Sequence, residues 1–159
     1  MTERAGFDFV RRSMRKTGMR EKGTRMLDPH GALIYTMVIV TAADADLPDA
    51  ELQAIGDIIG DLPVFRGFDR QGLPRHLNEC AELMNREDGL EGTLKAIKEA
   101  LPARLRETAY AIACDLVASD GEATQEELRI LELIRYRLNI DRLIAAGIER
   151  GARARFQKL

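Results

Sequence analysis

Residues 28–43 read DPHGALIYTMVIVTAA and contain the longest uncharged run of the chain, residues 29–43. An Asp at the N-cap followed by Pro at the first helical position is a strong signal for the start of a helix. The run of 15 residues is shorter than the ~20 apolar residues that a membrane-spanning helix needs. We therefore predict a buried core helix that begins at Pro29 and continues to about Ala43.

Helical periodicity dominates the chain on both sides of this run, and the alternation typical of strands is nearly absent. A second, amphipathic helix is predicted from Pro48 to Leu62. The other predicted helices cover residues 73–85, 90–101, 102–119, 124–138 and 140–153, with a further short helix near residues 7–14. The sequence therefore predicts an all-α fold, a single-domain bundle of about seven helices.

The net charge of −2 conceals an uneven distribution of charge along the 159 residues. Residues 1–28 and 142–159 each carry a net charge of +4, whereas residues 29–141 carry −10. A DNA-binding domain concentrates basic residues on its folded face, whereas the body of this chain is acidic. Proteins that bind single strands stack bases on aromatic side chains, which here make up only 5% of residues and include no Trp. We predict a partly flexible basic arm over residues 1–28, a helical domain over residues 29–159, and no nucleic-acid partner.

The two cysteines, Cys80 and Cys114, lie in apolar helical patterns and cannot form a disulfide framework, which favours a reducing compartment. The N-terminal residues do not develop the apolar core of a secretion signal, and no run is long enough for a transmembrane segment. We expect a cytoplasmic protein.

An internal repeat relates the two halves of the domain at a spacing of 76 residues. Residues 42–46, AADAD, align with residues 118–122, ASDGE, and Glu51 aligns with Glu127. Each half, about 29–62 and 103–138, contains an apolar helix, an acidic turn and an amphipathic helix with Glu near its start. We predict that the two halves face each other across a pseudo-twofold axis.

The acidic turns are the strongest candidate for a functional site. Carboxylates at the C-terminal end of a helix are disfavoured by the helix dipole. Thr124 and Glu127 form a capping-box pattern, but the first copy has Pro48 in place of Thr124 and still retains Glu51. If the two turns meet, a divalent cation could share up to six carboxylates, and all-oxygen ligands favour Ca²⁺ or Mg²⁺. The predicted metal ligands are Asp44, Asp46, Glu51, Asp120, Glu122 and Glu127. Helix capping and a solvated acidic surface are the alternatives, and the spacing is not that of an EF-hand.

Three segments resemble the TerB tellurite-resistance family: ALIYTMV at residues 32–38, AADADLPDAEL at 42–52, and ASDGE at 118–122 followed by EEL at 126–128. The similarity covers about residues 29–140. It implies an all-helical, internally pseudosymmetric domain whose acidic residues bind metal ions, and a role in resistance to tellurite and other stresses beside a membrane protein and calcium-binding partners. The family's motif positions fall most clearly on Asp44, Glu51, Asp120 and Glu127, and less clearly on Asp46 and Glu122. Pro48, where such motifs have a hydroxyl residue, departs from the pattern.

We expect a non-enzymatic protein that binds a divalent cation through the paired acidic turns and docks to other stress-response proteins. Because the resemblance implies a membrane partner, a peripheral position at the inner face of the membrane stays open as an alternative location. His76, Glu79 and Cys80 share a helical face that could hold a catalytic thiol or zinc, but a structural cysteine is the commoner outcome in an apolar helix. Two other functions stay open: a metal-free interaction domain whose acidic face binds a basic partner, and a hydrolytic metal centre.

Overall fold

The computed structural model describes residues 26–42 and 49–159. Within these ranges the chain forms seven α-helices and no strand, so the predicted all-α bundle is confirmed. The helices are α1 (Pro29–Thr41), α2 (Asp49–Asp61), α3 (Leu73–Met84), α4 (Gly89–Ala100), α5 (Arg106–Ser119), α6 (Gln125–Arg137) and α7 (Arg142–Arg155). Short 3₁₀ turns lie at Pro63–Phe65, Arg70–Gly72 and Ala103–Leu105. The short helix predicted near residues 7–14, and with it most of the basic arm, lies outside the described residues.

Helix α1 is the centre of the bundle. The Asp28 side chain accepts a hydrogen bond of 2.7 Å from the N–H of Gly31, and Pro29 occupies the first turn, as the sequence predicts. Every residue from 31 to 41 is buried. The helix packs against α2, α3, α4, α5 and α6. A helix that is apolar on all sides is stable only when it is surrounded in this way, and the prediction of a buried core helix is confirmed.

Two buried threonines show how α1 tolerates polar side chains in the core. The hydroxyl of Thr36 donates to the carbonyl of Ala32 at 2.9 Å, and that of Thr41 donates to Met37 at 3.1 Å. A hydroxyl that bonds to the preceding turn of its own helix is satisfied without a partner from another element. Both threonines are therefore compatible with full burial.

Helix α5 is the second core helix, and it packs against α1, α2, α6 and α7. The sequence prediction that this helix begins at Pro102 is wrong by four residues. Pro102 has an extended backbone (φ −55°, ψ 145°) and is followed by the 3₁₀ turn Ala103–Leu105. Proline is compatible with helix starts and with turns because both leave its missing N–H unneeded, so the residue itself does not decide between them.

The helix pairs α1–α2 and α5–α6 correspond to the two halves of the sequence repeat. The members of each pair contact each other, α1 packs against α5, and the cross contacts α1–α6 and α2–α5 are both present. This arrangement agrees with a duplicated unit, but the pseudo-twofold relation stays a prediction. No helix within the described ranges is both long and apolar enough to cross a membrane.

Candidate functional site

The acidic turn between α5 and α6 presents two carboxylates to solvent. Asp120 is the C-cap residue of α5 and is exposed, and Glu122 is exposed as well. Gly121 between them has a φ of +97°, a backbone conformation that residues with a Cβ rarely adopt. The glycine therefore allows the chain to reverse direction between the two acidic residues.

Glu127 is withdrawn from solvent at the start of α6 and is only 5% exposed. Its Oε2 accepts a hydrogen bond of 2.8 Å from the backbone N–H of Thr124, and its own N–H donates to Thr124 Oγ1 at 3.1 Å. This reciprocal pair is the predicted capping box. The box uses one lone pair of Oε2, and a carboxylate offers about four acceptor sites. Capping and cation binding by this carboxylate are therefore not mutually exclusive.

Glu51 occupies the same register in the other half of the repeat. It is the third residue of α2, as Glu127 is the third residue of α6. Glu51 is half-buried and its Oε2 is fully buried. Residues 49 and 51 place two acidic groups in the first turn of α2, where the helix dipole favours negative charge. The structure thus draws a carboxylate oxygen into the protein at equivalent positions of α2 and α6.

Two of the six predicted ligands, Asp44 and Asp46, lie outside the described residues. Within residues 26–42 and 49–159, no three His, Cys, Asp or Glu side chains form a group that could hold a metal ion. These ranges contain only four of the six predicted ligands. The donor chemistry of those four, exclusively carboxylate oxygen, suits a hard divalent cation and not a soft one.

The helical face of His76, Glu79 and Cys80 is largely structural. His76 and Cys80 are both buried. Burial raises the pKa of the Cys80 thiol far above its usual range. Glu79 lies at the surface, where its Oε1 is 3.7 Å from Nε of Arg75. A protonated thiol in an apolar core is a poor nucleophile and a poor metal ligand, which favours a structural role for this face. The expectation that the protein is not an enzyme stays a prediction.

An aromatic cluster over the start of α1 was not anticipated from the sequence. The His30 ring stacks on Phe65 with 5.6 Å between ring centroids, and its Nε2 lies 2.8 Å from the carbonyl oxygen of Val64. Phe68 contacts both His30 and His76, at centroid distances of 5.4 and 5.8 Å. Phe65 ends the 3₁₀ turn Pro63–Phe65 and Phe68 lies in a loop, so no helical periodicity signals their burial. The cluster fixes the segment after α2 against the first turn of α1.

A cavity of about 590 Å³ between α5, α6 and α7 was also missed by the sequence reasoning. On its lining the hydroxyl of Tyr110 donates a hydrogen bond of 2.5 Å to Oε1 of Glu149. Cys114 also lines the cavity, and burial, with a smaller contribution from Glu149, raises the pKa of its thiol to about 12. We refer to this space as the α5–α7 cavity. Its formation depends on how α7 lies over α5, which helical periodicity does not specify.

Comparison with protein families gives one match, described as "Tellurite resistance protein TerB", over residues 30–146. The match covers α1 to α6, apart from Pro29, and the first five residues of α7. It extends six residues beyond the C-terminal limit of the resemblance noted from the motifs. Comparisons with curated proteins and with solved structures gave no match.

Proposed function

The chain belongs to the TerB tellurite-resistance family, and from this premise we propose that it is a non-enzymatic stress-response protein that binds a divalent cation through its paired acidic turns and docks to a partner protein. Family membership by itself supports a helical domain associated with tellurite resistance. Cation binding, the stress response and docking to a partner go beyond family membership and form the proposal.

The observation that carries the cation proposal is the equivalent placement of Glu51 and Glu127. Each is the third residue of its helix, and each has a carboxylate oxygen removed from solvent. An ionised carboxylate loses hydration on burial, so it needs compensating positive charge or hydrogen bonds. Helix dipoles and the capping box supply such compensation, and a divalent cation bound by the same carboxylates would add to it.

The residues that would hold the cation are the two aspartates of the first turn, Asp120 and Glu122 of the second, and the two glutamates. Oxygen donors favour Ca²⁺ or Mg²⁺ over softer metals. The bound ion would neutralise carboxylates that otherwise repel each other within a body of net charge −10. Its role would be structural and electrostatic, because the proposal includes no reaction.

The test is a titration of the chelator-treated protein with Ca²⁺, Mg²⁺, Mn²⁺ and Zn²⁺, followed by calorimetry and thermal unfolding. We expect at least one cation to release or absorb heat with a defined stoichiometry and to raise Tm, since a ligand that binds only the folded state stabilises it. The double variant D44N/D120N should lose this response. Asp61→Asn, an exposed aspartate at the end of α2, is the matched control and should keep it.

A second series at matched ionic strength separates the cation proposal from its main alternative. A cation site should respond to millimolar divalent ion but not to NaCl, whereas a bare acidic surface should respond equally to both through screening. Equal responses, or no response to any divalent cation, would contradict the cation proposal. They would leave an acidic face that binds a basic partner, and salt-sensitive binding of a basic peptide by the wild type but not by D44N/D120N would then identify it.

A further inference from the structure

The α5–α7 cavity is lined by one continuous face from each of three helices. Its residues on α7 and just after it recur at three- and four-residue spacing from position 142 to position 157, and its α6 residues do so from 128 to 135. Helices α6 and α7 both pack against α5. Small side chains on the α7 face, Ala145, Ala146 and Ala152, keep the space between the helices open.

The direction of the helices gives the cavity two different ends. Tyr110 bonds to Glu149 and Asp115 pairs with Arg155, so α5 and α7 run in the same direction. The end near the start of α7 is therefore distant from the acidic turn, and the end near Phe156 is close to it. From Tyr110 to Gly121 the lining extends roughly 16 Å at the helical rise per residue.

Three arginines line the cavity: Arg135 of α6, and Arg142 and Arg153 of α7. Within residues 26–42 and 49–159, none of their guanidinium groups forms an ion pair or a hydrogen bond. The acidic residues on the lining are Glu132, which is exposed, and Glu149, whose Oε1 accepts the Tyr110 hydrogen bond. The cavity therefore carries an excess of cationic donors without protein acceptors.

The surface between the Arg135–Arg142 end and the acidic turn is largely apolar, and Arg153 is the basic residue on that part of the α7 lining. Val117, Leu128, Leu131 and Phe156 contribute to it, and Leu128 and Phe156 remain 45% and 39% exposed. Contact between these large apolar side chains and the water of an open cavity is unfavourable. An apolar ligand would displace that water and cover the side chains. The volume of about 590 Å³ lies within the range of small-molecule sites, about 300–1,000 Å³.

We propose that the α5–α7 cavity binds a single-chain anionic amphiphile, a fatty carboxylate whose head is held by Arg135 and Arg142 and whose tail lies toward Leu128 and Phe156. A planar guanidinium matches a carboxylate with two parallel hydrogen bonds, and two such groups flank the connection between α6 and α7. The opposite orientation would offer the carboxylate Arg153 alone, close to the acidic turn, where like charges repel. Dodecanoate, similar in length to the lining when extended, is the suitable probe.

The test is calorimetric titration of the chelator-treated protein with dodecanoate below its micelle concentration. We expect saturable binding of one molecule per chain. R135Q/R142Q should weaken it by roughly ten-fold or more, because each substitution removes a charge-assisted hydrogen bond. The matched control R129Q/R150Q changes exposed arginines on the same two helices, outside the cavity, and should bind as the wild type does.

A second pair of variants tests whether the amphiphile lies inside the cavity. A146M fills the cavity and should weaken dodecanoate binding, whereas A154M on the same helix lies outside the lining and should not. Decyl maltoside, an uncharged amphiphile, should bind at least ten-fold more weakly than dodecanoate. Equal binding of both amphiphiles, equal loss in the two arginine variants, no dodecanoate binding, or binding only of an acidic helical peptide would overturn the proposal. Because no divalent ion is present, the result is independent of the cation site.

Discussion

His76 is a polar residue enclosed in the core at 4% exposure. Its Nδ1 has no hydrogen-bond partner among residues 26–42 and 49–159. A Cβ at position 31 would lie 3.0 Å from this nitrogen and 2.7 Å from Leu27 Cδ1, so α1 approaches His76 closely only because residue 31 is glycine. Burial lowers the pKa of His76 below its usual 6.5, and the opposing influence of Asp28 is smaller. The folded protein therefore keeps this imidazole neutral.

His76 should make stability fall in mild acid. The unfolded chain protonates this histidine near pH 6.5, whereas the folded chain does so only at lower pH, so the unfolded state binds more protons between the two values. The contribution is fully present above pH 6.5 and is lost as pH decreases below it. In H76L we expect a shallower decrease in the free energy of unfolding between pH 7 and pH 5. The slope removed is at most about 1.4 kcal/mol per pH unit. Urea unfolding at several pH values measures it, and identical slopes in both proteins would contradict the assignment.

Helix caps decide how well the elements can be predicted. The starts of α1 and α6 follow from Asp28-Pro29 and from the Thr124 capping box, because each signal bonds directly to the first turn. The start of α5 does not, because Pro102 serves a 3₁₀ turn equally well. At the candidate site the capping of Glu127 was foreseeable, whereas the burial of Glu51 and the α5–α7 cavity depend on packing between helices. Local signals therefore predict ends and faces of helices, but not the spaces between them.

The capping and cation roles of Glu127 can be separated by substitution. T124A removes a cap hydroxyl and should cost about 1 kcal/mol, while leaving the carboxylate of Glu127 available to a cation. E127Q keeps a capping acceptor but removes the charge, so it should retain most of the stability. We expect T124A to lower Tm and preserve the cation response, and E127Q to abolish that response. Thermal unfolding with and without divalent ion measures both. A full cation response in E127Q would assign Glu127 to capping alone.

At the scale of the whole molecule, α1 packs against five other helices and joins them into one core. These helices include members of both halves of the sequence repeat. The core residues of α1 are accompanied by Tyr110, Leu94, Ile97 and Ile134, from α4, α5 and α6, all fully buried. A helix shared by all these contacts transmits any packing defect to the entire bundle. The chain should therefore unfold as one cooperative unit, as small single domains usually do.

Ile34→Ala at the centre of α1 tests this cooperativity. The substitution should cost about 2–5 kcal/mol because it leaves a cavity in a fully buried site. Leu143→Ala on α7 removes a side chain that is 84% exposed and should change stability by less than about 0.5 kcal/mol. Far-ultraviolet circular dichroism and tyrosine fluorescence, with Tyr35 and Tyr110 buried, should give coincident urea transitions in all three proteins. Separate transitions would show that the halves unfold independently.

Cys80 and Cys114 lie in α3 and α5, and both thiols are buried with raised pKa values. An alkylating reagent attacks the thiolate, so Cys80 is protected while α3 stays packed on α1, and Cys114 while α7 stays packed on α5. Modification then requires a local or global opening, and its rate in dilute reagent reports how often that opening occurs. Cys80 reports on the segment between the repeat halves, and Cys114 on the second half. The alkylation rates of the two native cysteines thus report separately on the opening of two regions of the bundle, without any engineered label.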